Sequence, residues 1–239
     1  KHGNRSVTSR SGSSQVLEAL GVKLNVTGET HTQCLAEAGI CFCFAPMHHP
    51  AMKYAMPVRL ELGFRTLFNV LGPLTNPAGA KRQLLGVFDA AMTQKLAEVL
   101  KNLGSEHAMV VHGRIEGGGG LDELSICGPS EVAHLHDGSV RRYEIDPTTL
   151  HLAVVDSSRL QVDSTEASAL VIRGVLGGEQ GPPRDIVRLN AAAALHVAGV
   201  AQDLSVGLEL ATHAIDSGEA AQALQQLVTI TQADATPTE

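Results

Sequence analysis

Three short apolar runs separated by helical stretches constrain this chain more than any other feature. They are residues 40–45 (ICFCFA), 84–88 (LLGVF) and 107–111 (HAMVV). Each is too short for a helix and too apolar for a half-exposed strand. Between the last two, residues 93–103 place Leu96, Val99, Leu100 and Leu103 on one helical face, and Gly104 ends the pattern. Buried strands alternating with helices make βαβ units. An α/β fold with a largely parallel sheet flanked by helices is therefore expected.

The flanking segments add detail. Residues 13–20 read as a helix stopped by Gly21, and Thr27 caps a second helix that ends at Gly39. Residues 131–137 and 139–145 alternate apolar with polar residues around Asp137-Gly138, the signature of a β-hairpin. Residues 146–175 are weakly patterned and expected to be loop-rich. From Asp185 the chain turns helical again, through an alanine-rich stretch suited to close packing.

A chain of 239 residues, 44% apolar and 18% charged, is globular rather than disordered. No apolar run reaches the ~18 residues of a membrane span. A net charge of −7 argues against a general nucleic-acid binder, which needs clustered Lys and Arg. Cys34, Cys41, Cys43 and Cys127 form no C-x2-C pair, so a zinc knuckle is not expected. Cys41 and Cys43 should share one strand face as buried, reduced thiols, which fits a reducing, cytoplasmic compartment.

Three segments hold residues suited to chemistry. Residues 1–14 (KHGNRSVTSRSGSS) combine cations, an asparagine and small hydroxyl residues ahead of a helix. Such a stretch is either a phosphate cradle or a polar surface loop. Asp122-Glu123 follow a glycine run and are either a Mg²⁺ site completed by substrate phosphates or an ordinary solvated acidic pair. Residues 44–77 gather His48-His49-Pro50, Arg59 and Arg65 in an apolar block. Pro50 forces His49 out of helical geometry, and a guanidinium can grip a carboxylate through two parallel hydrogen bonds. His134 and His136 read as surface residues of the hairpin. His31, His151, His196 and His213 show no partner pattern.

The strings KHGNRSVTSRSGSSQVLEALG, FAPMHHPAMKYAMPVRLELGFRTLFNVLGPLTNPA, VVHG…GLDELS and RDIVRLNAAAALHVAG resemble the anthranilate phosphoribosyltransferase family. The likeness runs from Lys1 to about Gly218, with residues 151–173 matching no family motif. It implies a phosphoribosyltransferase-type α/β domain, shared in fold with nucleoside phosphorylases, over residues 1–239. That domain would be incomplete at its start, with residues 55–75 near a hinge to a helical domain. It implies transfer of the phosphoribosyl group of phosphoribosyl pyrophosphate to anthranilate, in tryptophan biosynthesis, by an enzyme that uses Mg²⁺ and is homodimeric at full length.

Carried over by the resemblance, Lys1 and Ser13 would touch the donor's phosphates. His2, Asn4, His49 and Arg59 would line the anthranilate path, with Arg59 on the carboxylate and Arg65 close to the same channel. Asp122 and Glu123 would hold the metal. No side chain is assigned as acid, base or nucleophile; positioning and electrostatics carry the reaction. The family's Gly-Thr-Gly-Gly-Asp loop is absent from the sequence, so turnover by the 239 residues alone is not expected. The run 113–120 (GRIEGGGG) is longer than the family's usual turn. A pyrimidine nucleoside phosphorylase is the alternative of similar fold. A non-catalytic paralogue that binds nucleic acid or a protein partner is the alternative of another class.

Overall fold

The computed structural model describes residues 1–4, 12–54, 58, 61 and 68–235. The chain forms two compact units. The first comprises Lys1–Gly79, Val162–Gly177 and Ser217–Glu239; the second comprises Ala80–Gln161 and Gly178–Asp216.

In the first unit, strands β1 (His2–Gly3) and β2 (Cys43–Phe44) pair in parallel. Helix α1 (Ser13–Ala19) starts where the Gly12 N–H donates to Gln15 Oε1 at 3.1 Å. Helix α2 (Gly28–Gln33) is capped by Thr27 Oγ1, which accepts from the Thr30 N–H at 3.2 Å. It continues as one π-helical stretch, Cys34–Ala38, and stops at Gly39 with φ of 71°. The expected strand at 40–45 shrinks to two residues, although Cys41 and Cys43 do converge, with sulfurs 4.0 Å apart. Val22, Leu24, Cys34, Phe42, Leu227 and Ile230 share this unit's core.

The second unit is built on a sheet of order β3–β4–β6–β7, from β3 (Arg82–Gly86), β4 (His107–Arg114), β6 (Ser130–His136) and β7 (Ser139–Ile145). The two-residue β5 (Gly120–Leu121) pairs with β4. Within this sheet only β3 and β4 run parallel; β4–β5, β4–β6 and β6–β7 are antiparallel. The sheet is thus mixed rather than largely parallel, because α3 (Met92–Asn102) supplies its one parallel crossover and the rest is hairpin. The expected turn is present: Asp137 and Gly138 have φ of 48° and 69°, as a two-residue hairpin with both central residues left-handed requires.

Alternation assigns the sheet faces. Met109, Val111 and Val132 pack with Ile186, Leu189, Ala192, Ala193 and Val197 of α5 (Pro182–Ala198), and with Leu208 of α6 (Leu204–Asp216). The loop-rich expectation for 146–175 is half right. Two short 3-10 turns occupy its first part, but α4 (Thr165–Leu176) fills the rest, capped by Ser164 Oγ on the Ala167 N–H at 3.0 Å. Helix α7 (Glu219–Ala233) closes the first unit. Among the described residues no helix is long and apolar enough to cross a membrane.

Candidate functional site

The sequence-predicted residues fall into both units. Lys1, His2, Asn4, Ser13 and His49 lie in the first, and Asp122 and Glu123 in the second. Arg59 and Arg65 lie outside the described residues.

In the first unit, pairing of β1 with β2 assembles the donors. The Lys1 carbonyl accepts from the Cys43 N–H at 2.7 Å, which sets His2 and Gly3 beside the segment leading to His49. His2 Nε2 and His49 Nε2 are 3.2 Å apart with their rings edge to face. One shared proton links them, so at most one ring of the pair donates. Burial first, then His49, pushes the His2 pKa below 6.5, and a hydrogen bond that the ring donates to the Gly72 backbone opposes the shift. Gly3 lies close under its neighbours: a Cβ there would sit 3.0 Å from the Phe42 ring, which would have to shift, and 3.7 Å from Ser13 Oγ. Ser14, buried, donates its hydroxyl to the Asn4 carbonyl at 3.2 Å, tying the start of α1 to β1. Lys1, His2, Asn4, Ser13 and His49 are therefore gathered around one short parallel strand pair.

A second group lies behind them. His31 Nε2 meets the Phe42 carbonyl at 3.1 Å, and the His31 and His48 rings are 5.3 Å apart. His48 Nε2 is buried without a hydrogen-bond partner among the described residues. His31, Cys43 and His48 each offer a ligand atom within 4.8 Å of the others. Burial, and then Cys41, push the Cys43 thiol upward, which favours the protonated form and not a ligating thiolate.

In the second unit the acidic doublet follows β5. The glycine run is a tight turn: Gly117, Gly118 and Gly119 have φ of 88°, 114° and 94°, values that exclude most side chains. Asp122 and Glu123 are exposed at its end. The backbone behind them is clamped. Asn190 of α5 accepts from the Leu124 N–H and donates to the Leu124 carbonyl, both at 2.9 Å. A Cβ at Gly86 would overlap the Asp122 carbonyl, so β3 itself presses against the doublet. His112, buried in β4, holds the Val87 carbonyl through Nδ1 at 2.8 Å, and its ring fills the space a Cβ on Gly120 would need.

Sequence reasoning gives Asn190 and His112 no role. They lie inside the strings RLNAAAALHVAG and VVHG, so the signal is present without a function attached. Among the described residues the doublet belongs to no cluster of three potential metal ligands. Two adjacent, solvent-facing carboxylates on a pinned backbone fit Mg²⁺, a hard ion that takes one or two carboxylates and completes its shell with phosphate oxygens and water.

Comparison with known proteins decides the family. Residues 1–221 match the family described as Glycosyl transferase family, a/b domain. The chain is 51% identical over 233 residues to an anthranilate phosphoribosyltransferase of Methylobacillus flagellatus, covering 98% of this chain and 67% of that protein. It is 54% identical to one from Thioalkalivibrio sulfidiphilus, covering 97% and 67%. The chain belongs to the anthranilate phosphoribosyltransferase family.

Solved anthranilate phosphoribosyltransferases agree. The Thermus thermophilus enzyme superposes with a TM-score of 0.88 at 41% identity, covering 98% of this chain and 68% of that one. The Saccharomyces cerevisiae enzyme, in complex with PRPP and Mg, gives 0.87 at 26% identity, covering 97% and 64%. The chain thus spans about two thirds of the length of the relatives it matches. The expected α/β class and family hold. These relatives are all anthranilate phosphoribosyltransferases.

Proposed function

We propose that this chain carries the acceptor-side and metal-side residues of an enzyme that transfers the phosphoribosyl group of phosphoribosyl pyrophosphate to anthranilate. The products are N-(5-phosphoribosyl)anthranilate and pyrophosphate. The observation that carries the reading is identity of 51% and 54% to two anthranilate phosphoribosyltransferases over nearly the whole chain. Yeast relatives were solved with PRPP and Mg and with 4-fluoroanthranilate, which supports the same pair of substrates here.

The reaction forms a C–N bond at the anomeric carbon and breaks the C–O bond to pyrophosphate. The amine of anthranilate is a neutral nucleophile, so positioning does most of the work; effective molarity alone can lower such a barrier by roughly 7–11 kcal/mol. His2, held largely neutral by burial, and His49 offer ring nitrogens to the acceptor, with Asn4 beside them. Arg59 is proposed to grip the anthranilate carboxylate, with Arg65 near the same channel. Lys1 and Ser13 are proposed to reach the donor's phosphates. Asp122 and Glu123 would hold Mg²⁺, which stabilises the charge growing on the leaving pyrophosphate. Asn190, His112 and Gly86 keep that doublet in place.

The proposal extends to a cytoplasmic, homodimeric enzyme of tryptophan biosynthesis. In it, residues 1–239 form an incomplete phosphoribosyltransferase domain with a hinge near 55–75. The reading includes no nucleic-acid or membrane partner. A fluorescence titration of anthranilate against wild type and Arg59→Ala tests the acceptor assignment. The variant is expected to bind at least about tenfold more weakly, the loss of a charge-assisted bidentate contact. Equal affinity would remove Arg59 from the site. Broadening of phosphate signals by Mn²⁺ used in place of Mg²⁺, lost in an Asp122→Asn, Glu123→Gln double variant, tests the metal side.

A further inference from the structure

We propose that His107, His134 and His196 form a binding site for one divalent transition-metal ion of the zinc type, separate from the acidic doublet and chemically unlike it. The second unit's architecture makes the juxtaposition. His107 opens β4, His134 lies on β6 opposite Met109, and His196 sits in the last turn of α5. By alternation His107 and His134 share the sheet face that packs on α5. The three residues each offer a ligand nitrogen within 4.8 Å of the others. The His107 and His134 rings are 4.9 Å apart and stacked, and His196 stands edge-on to both, at 5.3 and 5.5 Å.

The hydrogen bonds around the rings are those that orient imidazole ligands. His196 Nδ1 contacts the Ala201 carbonyl at 3.1 Å, which must accept, so Nδ1 carries the proton and Nε2 keeps its lone pair. His134 Nδ1 meets Tyr143 Oη at 3.0 Å. Metal-bound histidines ordinarily engage a carbonyl or similar partner through their second nitrogen. His107 Nε2 and His134 Nε2 are 2.7 Å apart and share one proton. An ion at Zn–N distances of 2.0–2.1 Å would hold tetrahedral nitrogens about 3.3 Å apart. It therefore replaces that hydrogen bond after a small separation of the rings. No net proton loss is needed: the ring that donates moves its proton from Nε2 to Nδ1. If that ring is His134, its Nδ1–H then donates a hydrogen bond to Tyr143 Oη.

The surroundings agree with neutral ligands. Burial first, then the neighbouring imidazoles, lower the pKa of His107 and of His134 to about 4, so both lone pairs are available at neutral pH. Arg82 and Arg141 bear on the cluster with opposing charge and Asp137 with favourable charge. His136, directly paired with His107 and exposed, stands beside the cluster, its ring 4.4 Å from that of His107. Three imidazoles select zinc-class ions, whereas carboxylates select magnesium. The two sites are at opposite ends of β4: Gly113 pairs with Leu121 next to the doublet, six residues or about 20 Å along the strand from His107.

The test is Co²⁺ binding to the whole chain after dialysis against chelator, followed by displacement with Zn²⁺. The expected result is one Co²⁺ per chain, with the visible absorption of tetrahedral nitrogen coordination, no thiolate charge-transfer band, and displacement by one equivalent of Zn²⁺. His196→Gln and His134→Gln should each weaken binding at least about tenfold, while the exposed His151→Gln leaves it unchanged. Thermal melts of the metal-free variants check folding. If His134→Gln does not fold, His196→Gln, on the helix, decides. Absence of tetrahedral absorption overturns the proposal. So does a thiolate band, which would put the ion at Cys43, or an affinity unaltered by His196→Gln.

Discussion

At the scale of single residues, the first unit's histidine pair gives a pH prediction. The His2 pKa is lowered by burial and then by His49. Its folded value lies below the unfolded 6.5, so the neutral ring contributes stability in full above pH 6.5. That contribution is lost as pH falls through the folded value. In an NMR titration the His2 ring should titrate below 6.5, and His49→Gln should move it only part of the way back, because burial remains. A His2 midpoint at or above 6.5 would contradict the buried pair. The Asn190 clamp predicts a stability loss. Asn190→Ala leaves the N–H and carbonyl of Leu124, a fully buried residue, without their side-chain partner. Two unsatisfied buried groups cost about 2–4 kcal/mol, measurable by urea unfolding. A change below about 0.5 kcal/mol would show that the clamp does not hold the doublet's backbone. Legibility differs among these residues. The strings containing His2, His49 and the doublet identify a family. Asn190 and the His196 cluster are silent, because their partners are many positions away and only folding brings them together.

At the scale of elements, regular periodicity is legible in the sequence and irregular backbone is not. The hairpin at Asp137-Gly138 and helix α3 can be read to within a residue or two, since each carries a local rule of turn chemistry or apolar spacing. Strand direction is misjudged because alternation reports burial on a face, not the orientation of a neighbour. Helix α4 escapes notice because its surface keeps large apolar groups: Leu170 is 65% exposed, which blurs the amphipathic pattern. Close helix packing is foreseeable from the alanine run, and the structure gives it a test. A Cβ on Gly207 of α6 would lie 2.7 Å from the Ala192 carbonyl and 2.8 Å from Ala192 Cα of α5. Gly207→Ala must push the two helices apart and should cost about 1–3 kcal/mol. Gly28→Ala, where a Cβ meets nothing within 4 Å, should be neutral or stabilising by up to about 1 kcal/mol. Equal stability of the two variants would refute the close crossing of α5 and α6.

At the scale of the whole molecule, the order of segments matters more than any contact. The first unit takes residues from three separate stretches, and the second from two. Helix α7 lies near the end of the sequence, yet it completes a core laid down by residues 22–43: Leu227 and Ile230 are buried with Val22, Leu24 and Phe42. Polar contacts repeat the pattern. Thr231 Oγ1 accepts from the Lys23 N–H at 3.2 Å, and an Asp234 carboxylate oxygen accepts from the Thr27 N–H at 3.0 Å. Removing residues 217–239 therefore uncovers apolar surface of the first unit and withdraws a cap from α2. The second unit keeps all its own residues, including the buried Arg184, whose ion pair to Asp216 is 2.7 Å long. Hydrogen exchange on the truncated chain should show β4 and β6 still protected. Residues 13–43 should exchange close to the rate of an unfolded chain, since nothing remains to offset the ordering entropy of those segments. Uniform loss of protection across both units would mean that they fold as one cooperative body. Uniform retention would mean that α7 is dispensable to the core it covers.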